Sequence, residues 1–121
     1  MDINKLLKKI QNHPKYSQAG MVLTHIGIVR NTSLTGKKVS GIEIAVDYRK
    51  LTQIILEQKS KPGIVELLID FNDKKVLSVG EKIMLLAIAG DTRKNVIKVL
   101  SETLDDIKTI ATTKTEFFLK E

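Results

Sequence analysis

The side chains in this sequence that are best suited to chemistry are cations placed beside turns. Arg30 ends an apolar run, Arg93 opens a helical pattern, and Lys108 lies near the end of that pattern. Strand ends and helix starts often line ligand sites, and a guanidinium group binds phosphate or carboxylate through two parallel hydrogen bonds. These residues therefore indicate a site for an anionic ligand.

Other lysines lie in segments that could contribute to such a site, namely Lys37, Lys38, Lys114 and Lys120. Solvated surface charge is the ordinary role of a lysine in a folded protein. Arg30 and Arg93 are therefore the stronger candidates, because each stands where a strand ends or a helix begins.

The spacing of two of these cations predicts a second copy of the chain. Lys108 follows Arg93 by fifteen residues, and on one helix rising about 1.5 Å per residue they would stand roughly 22 Å apart. That separation is too large for one small-ligand pocket. If both residues serve one site, a second subunit must bring the second residue, which predicts a symmetric homodimer with the site at or near its interface.

Several common site chemistries have no support in the sequence. There is no cysteine, so any sulfur chemistry would need sulfur delivered from elsewhere. His13 and His25 are isolated from each other and no acidic cluster has ligand spacing, so we predict neither a metal nor a cofactor. The glycines form no phosphate loop or dinucleotide fingerprint. We interpret His25, in the middle of a predicted strand, as a packed core or interface residue.

The formal net charge of +6 favours an anionic partner, such as a nucleic acid, a phosphorylated metabolite or an acidic protein surface. Aromatic residues make up 4% of the chain and no helix-turn-helix signature is found, which weakens the nucleic-acid interpretation. No apolar run approaches the roughly 20 residues of a membrane span, and the N-terminus lacks a signal-peptide core. We expect one domain over residues 1–121, without membrane association and located in the cytoplasm.

The first half of the chain predicts two helices and two strands. A short amphipathic helix follows Asp2 as its cap and ends at His13-Pro14. Met21–Arg30 predicts a strand covered on both faces, with Val39–Val46 as its partner. The helical spacing after Asp47 predicts about three turns that end before Pro62.

The second half predicts further strands and one long helix. Strands are expected at Ile64–Phe71 and Lys82–Ala89, with a loop or short strand between them. Asp91 or Thr92 could cap the following helix, whose apolar stripe is Val96, Leu100, Leu104, Ile107 and Ala111. The tail TTKTEFFLKE predicts a final strand. Interleaved helices and strands of this kind indicate an α/β or α+β fold with a mixed sheet.

Three motifs together resemble the MoaE family, the large catalytic subunit of molybdopterin synthase. They are GMVLTHIGIVRN, then SVGEKIMLLAIAGDTR, then a helix ending in DDIKT. The similarity extends from about Gly20 to Glu116, and the separations between Gly80, Arg93 and Lys108 look the same as in the family. The resemblance implies an α/β-hammerhead fold and a homodimer. By this resemblance the chain is identified as a divergent member of the family.

The resemblance implies a sulfurtransferase. Members of the family convert cyclic pyranopterin monophosphate to molybdopterin, taking two sulfurs from the C-terminal Gly-Gly thiocarboxylate of a ubiquitin-like small subunit. Carried over by position, the catalytic residues would be Lys108 and Lys114, with Lys120 as the alternative to Lys114. The substrate-binding residues would be Arg30, Arg93, Thr92, Lys37 and Lys38.

The chain also departs from the family pattern. Thr92 stands where the family has a histidine, and the tail has neither proline nor tryptophan before its lysine. Two alternatives therefore stay open. One is a family member that has lost catalysis and acts as a binding or assembly partner, and the other is a basic nucleic-acid-binding module.

Overall fold

Two antiparallel sheets of three strands each form the framework of the protein, in a computed structural model that describes residues 1–120. One sheet has the strand order β1-β5-β3 and the other β4-β2-β6. The elements in chain order are α1 (Ile3–Gln11), a 3₁₀ turn (Tyr16–Gln18), β1 (Met21–Ile28), β2 (Val39–Val46), α2 (Tyr48–Lys59), β3 (Ile64–Phe71), β4 (Leu77–Ser78), β5 (Lys82–Gly90), α3 (Arg93–Asp106), a π-helical turn (Ile107–Ala111) and β6 (Thr112–Phe118).

The two longer helices connect one sheet to the other. Helix α2 runs between β2 and β3, and α3 with its π-helical turn runs between β5 and β6. The α+β class is confirmed. In place of one mixed sheet, the described chain has two antiparallel ones, because no helix returns to the sheet that it left and parallel neighbours do not arise. The expected pairing of Val39–Val46 with Met21–Arg30 is wrong, since β2 pairs with β4 and β6.

Strand β5 is the most deeply buried element. Its residues Leu85 to Ala89 have no exposed surface. Leu86 and Ile88 pack toward α2 and α3. Leu85, Ala87 and Ala89, on the opposite face, pack toward α1. Because both faces are covered, the strand is a continuous apolar run, and it anchors β1 and β3 on either side.

Strand β1 differs from the prediction of a strand covered on both faces. It lies at the edge of its sheet, where Ile26 and Ile28 are exposed, and it ends at Ile28. The pairing with β5 is irregular between Gly27 and Ile28. This bulge breaks the alternation of the strand, and Arg30 leaves the sheet two residues later.

Helix α3 begins at Arg93 and its cap is Thr92, one of the two caps that the sequence predicts. Its buried face is Val96, Val99, Thr103, Ile107 and Ala111, whereas Leu100 and Leu104 of the predicted stripe are only partly buried. In the middle of the helix, the buried positions are thus Val99 and Thr103, each one residue before the predicted Leu100 and Leu104. The helix then widens into the π-helical turn, a rare feature that is frequent at functional sites.

Candidate functional site

A cleft of about 570 Å³ brings together three of the predicted site residues. Arg30, Lys108 and Lys114 line it from three different parts of the chain: the segment after β1, the π-helical turn and β6. The cleft also contains His25 and Glu116. Its apolar wall consists of Ile28, Val29, Leu34, Ile42 and Ile83.

Arg30 reaches the cleft from the segment that follows β1. Its Nε donates a hydrogen bond to the backbone oxygen of Thr32 at 2.9 Å. Among residues 1–120, no carboxylate lies within ion-pair distance of its guanidinium group, since the ion pairs found there involve other cations. One side of the guanidinium is thus held by the protein, and the remaining N–H groups stay available to an anion.

Lys108 projects from the π-helical turn. The Thr112 hydroxyl donates to the Ile107 carbonyl at 2.9 Å, and the Asp47 amide donates to the Ala111 carbonyl at 2.8 Å. Ile107 and Ala111 are themselves buried in the core. The exposed Lys108 side chain therefore stands on a backbone fixed by packing and hydrogen bonds on both sides.

Lys114 and Glu116 lie on the same face of β6. In the pairing with β2, Lys114 is opposite Ile44 and Glu116 is opposite the buried Ile42. Residues directly opposite each other in a sheet share a face. This register turns both side chains toward the cleft and brings Lys114, rather than Lys120, to Lys108.

The charges in the cleft favour an anionic ligand. Arg30, Lys108 and Lys114 contribute three positive charges, and Glu116 contributes one negative charge. Charges of one sign in a concave site raise the local concentration of ions of the opposite sign. The arrangement can therefore bind a phosphate or carboxylate group and stabilise negative charge that develops on it.

Lys37 and Lys38 line a different cleft, of about 710 Å³. Lys120 and Phe118 also contribute to it, and the Lys37 Nζ lies 5.6 Å from the centroid of the Phe118 ring. The structure therefore does not bring Lys37 and Lys38 together with Arg30 in one cleft of this chain.

Thr92 and Arg93 lie at the other end of α3 from Lys108. They line a shallow depression with Lys94 and Lys98. The Thr92 hydroxyl accepts a hydrogen bond from the Asn95 amide at 3.4 Å, which caps the helix. Arg93 and Lys108 belong to separate sites within one chain, as their spacing predicts.

The start of α3 is held in place by Asp91. The Asp91 carboxylate accepts hydrogen bonds from the Asn95 side chain at 2.9 Å and from the Thr92 amide at 2.6 Å. The hydrogen bond from Asn95 is the main reason that the pKa of the Asp91 carboxyl is lowered. Gly63, with a φ of +80°, leaves the space that this carboxylate fills. The position of Arg93 thus depends on contacts made just before the helix begins.

Two residues of the cleft were not predicted as site residues. His25 is half-buried in the cleft wall and not packed in the core, whereas the other predicted role, at an interface, stays a prediction. Glu116 is not among the predicted site residues, although its spacing of two from Lys114 places both side chains on one face of a strand. For Glu116 that spacing was a usable signal. For His25 the deciding feature is the edge position of β1, which periodicity does not reveal.

Two further findings concern residues 1–120 as a whole. No group of three or more histidine and acidic residues in this part of the chain is arranged to hold a metal ion. None of the helices described is both long and apolar enough to cross a membrane.

Comparison with known proteins gives a family and several similar structures. The MoaE family model matches residues 1–110. Molybdopterin synthase from Staphylococcus aureus is 24% identical with a TM-score of 0.71, over 88% of this chain and 85% of that chain. Molybdopterin cofactor biosynthesis protein E from Burkholderia multivorans is 23% identical with a TM-score of 0.73, over 98% and 84% of the two chains.

A third similar structure contains two different proteins. It is a complex of subunits 1 and 2 of molybdopterin-converting factor from Helicobacter pylori, 21% identical with a TM-score of 0.69, over 100% of this chain and 86% of that chain. At these identities the likeness establishes the fold. No curated protein matches the chain significantly in sequence.

Proposed function

Because the chain belongs to the MoaE family, and so has a role in molybdenum cofactor biosynthesis, we propose that it is the catalytic subunit of a molybdopterin synthase. It would transfer sulfur from the C-terminal thiocarboxylate of a ubiquitin-like small subunit to cyclic pyranopterin monophosphate. The observation that carries this proposal is the cleft in which Arg30, Lys108 and Lys114 meet. Both reactants are anions, and the cleft has a net positive charge.

The chain has no cysteine to carry sulfur, so the sulfur must be delivered from elsewhere, which is consistent with a thiocarboxylate on a partner. In the proposed reaction the thiocarboxylate sulfur forms a bond to a carbon of the substrate, and a carbon–oxygen bond at that carbon breaks, its oxygen leaving as water or with the phosphate of the opened ring. Water then attacks the acyl carbon and the acyl–sulfur bond breaks, so the sulfur stays on the substrate and the tail leaves as a carboxylate. Two sulfur atoms require two such rounds.

The residues of the cleft have distinct roles in this proposal. Arg30 binds the phosphate of the substrate through its free guanidinium N–H groups. Lys108 and Lys114 stabilise the negative charge that develops on the acyl oxygen during hydrolysis. The fixed backbone of the π-helical turn supports the role of Lys108, because a donor held in advance loses little entropy when the charge appears.

The partners in the proposal are a small subunit and a second copy of this chain. The Helicobacter pylori structure is a complex of subunits 1 and 2, which supports a small subunit for this chain as well. The separation of Arg93 from the cleft supports a homodimer in which Arg93 of one subunit approaches the cleft of the other. Each active site would then take residues from both subunits.

A second candidate function is a family member that binds without catalysis. The observation in its favour is Thr92, which replaces the histidine of the family pattern and whose hydroxyl caps α3. A side chain engaged in capping does not supply the proton-transferring nitrogen that a histidine would. Such a chain would bind pyranopterin monophosphate and a small subunit but form no product.

The test is a reconstituted assay with the purified chain, a thiocarboxylated small subunit and pyranopterin monophosphate. Lys108→Ala should lower the rate of molybdopterin formation by about 10²–10³-fold, the usual cost of losing one such donor. Lys75→Ala, an exposed lysine in the loop before β4, is the matched control and should keep the full rate. Thermal unfolding of both variants shows whether the fold is intact.

Each outcome of this assay has a clear meaning. An active wild type whose Lys108→Ala variant keeps the full rate contradicts the catalytic role of Lys108. A wild type that binds the substrate but forms no product supports the second candidate. In that case Thr92→His is the first change to make, and recovery of activity would identify Thr92 as the cause.

A further inference from the structure

We propose that His25 is an anion ligand of the cleft whose protonation controls how tightly a compact oxyanion, such as a phosphate group, binds there. His25 lines the same cleft as Arg30, Lys108 and Lys114. Among the residue types that line the cleft, histidine is the one that serves in proteins as a switch of charge near neutral pH. The inference rests on the proposed function only in taking this cleft as the anion site.

The imidazole of His25 lies beside Gly27, toward the end of β1 from which Arg30 follows. His25 and Gly27 lie on the same face of β1, and a Cβ placed on Gly27 would stand 3.8 Å from the His25 Nε2. That Cβ would also lie 3.1 Å from the Met84 side chain. The 3.8 Å separation is an ordinary van der Waals contact, so the His25 ring extends along the strand as far as Gly27, toward the end of β1.

The two histidines of the chain differ in their contacts. The Nδ1 of His13 accepts a hydrogen bond from the Lys15 amide at 3.0 Å, and its Nε2 lies 3.7 Å from a carboxylate oxygen of Glu66. For His25, which is half-buried in the cleft wall, no hydrogen bond to either ring nitrogen is found among residues 1–120, and neither nitrogen is among the buried side-chain atoms there that lack a partner. Both nitrogens are therefore open to solvent, and a ligand in the cleft can take the place of water as their hydrogen-bond partner.

The charged side chains that line the cleft together with His25 come from three parts of the chain. Arg30 follows β1, Lys108 projects from the π-helical turn, and Lys114 and Glu116 come from β6. The contributions of β2 and β5 to the cleft are the apolar side chains Ile42 and Ile83, which carry no charge.

Protonation changes what the ring can do in this setting. A neutral imidazole has one N–H donor and one acceptor nitrogen, and the acceptor repels an oxyanion. The protonated ring has two N–H donors and adds a fourth positive charge to the cleft. A phosphate group bound by Arg30 should therefore bind more tightly when His25 is protonated.

Sulfate is the probe that isolates this effect. Its charge stays constant over about pH 5 to pH 8, where histidine changes charge, so a pH-dependent affinity reports the protein. Isothermal titration calorimetry of the full chain should show sulfate binding about tenfold tighter at the acidic end of this range, from one added charge-assisted hydrogen bond. In NMR spectra, sulfate should move the His25 ring signals and leave those of His13 in place.

Two variants of His25 and one control complete the experiment. His25→Gln and His25→Phe should each bind sulfate with an affinity that hardly changes with pH. His13→Gln should keep the pH dependence of the wild type, because His13 lies outside the cleft. Thermal unfolding verifies that each variant is folded, and the glutamine variant retains a polar group if phenylalanine disturbs the strand.

The outcomes separate this inference from the proposed function. A pH dependence that persists in both His25 variants overturns the role of His25, even if the chain makes molybdopterin. Absence of sulfate binding by the wild type at every pH overturns it as well. The rate lost in Lys108→Ala tests sulfur transfer independently of either result.

Discussion

At the residue scale, the cleft combines cations from the boundaries of elements with two side chains, His25 and Glu116, from inside strands. Arg30 and Lys108 could be identified because each stands at a boundary between elements, where the periodicity of the apolar residues changes. His25 and Glu116 sit inside strands, and their role depends on which strand is an edge and which face is covered. Those properties arise from pairing between distant segments, so local periodicity cannot supply them.

The two candidate tail lysines give a direct test at this scale. Lys114→Ala should lower the rate of molybdopterin formation by about 10²-fold, because its ammonium group lies in the cleft with Lys108. Lys120→Ala should leave the rate near that of the wild type, since Lys120 lines the other cleft. The reconstituted assay measures the rates of both variants. A larger loss in Lys120→Ala than in Lys114→Ala would show that Lys120 is the residue that matches the tail lysine of the family.

At the scale of elements, the ends of helices were predictable and the partners of strands were not. Asp2 caps α1 and Thr92 caps α3, as the residue types indicated. The partner of β2 was wrong because a strand that follows another closely in sequence often pairs with it, whereas here the two diverge after one bridge between Thr32 and Lys38. The π-helical turn at Lys108 has no recognisable sequence signal.

The junction before α3 gives the prediction for this scale. Gly63→Ala should destabilise the protein by about 2 kcal/mol or more, because Gly63 has a positive φ and an added Cβ would collide with the Asp91 carboxylate. Gly36→Ala is the matched control, with a φ of +86° and open space around it. It should cost about 1 kcal/mol.

Urea unfolding measures the free energy of unfolding of both glycine variants. The difference between them isolates the collision with Asp91 from the cost of the positive φ. Equal losses would show that the start of α3 adapts to the added methyl group without cost.

At the scale of the whole molecule, α3 sets the distance between two groups of cations. Its ends carry Arg93 on one side and, after the π-helical turn, Lys108 on the other. The class of fold followed from the sequence because its elements alternate clearly. The division into two sheets did not follow, because it depends on where each helix leads.

Mixing two inactive variants tests whether subunits share a site. Arg93→Ala and Lys108→Ala homodimers should each be nearly inactive. After unfolding and refolding an equal mixture, half of the dimers should contain one chain of each kind, and one of their two sites would be intact. The mixture should therefore recover roughly a quarter of the wild-type rate.

Two results would contradict shared sites. One is a mixture as inactive as its components, with exchange of subunits verified by mass spectrometry. The other is sedimentation that shows only a monomer at micromolar concentrations.

The long-range pairing of the strands also bears on how the chain folds. Met21 pairs with Gly90, and Val46 pairs with Thr112, so each sheet joins segments that are far apart in the chain. Contacts between such distant segments raise the contact order, and domains dominated by them fold in roughly milliseconds to seconds. His25 comes from the first of these sheets and Lys114 from the second. The cleft therefore needs both long-range pairings at once, and a chain in which only one sheet has formed would lack part of its lining.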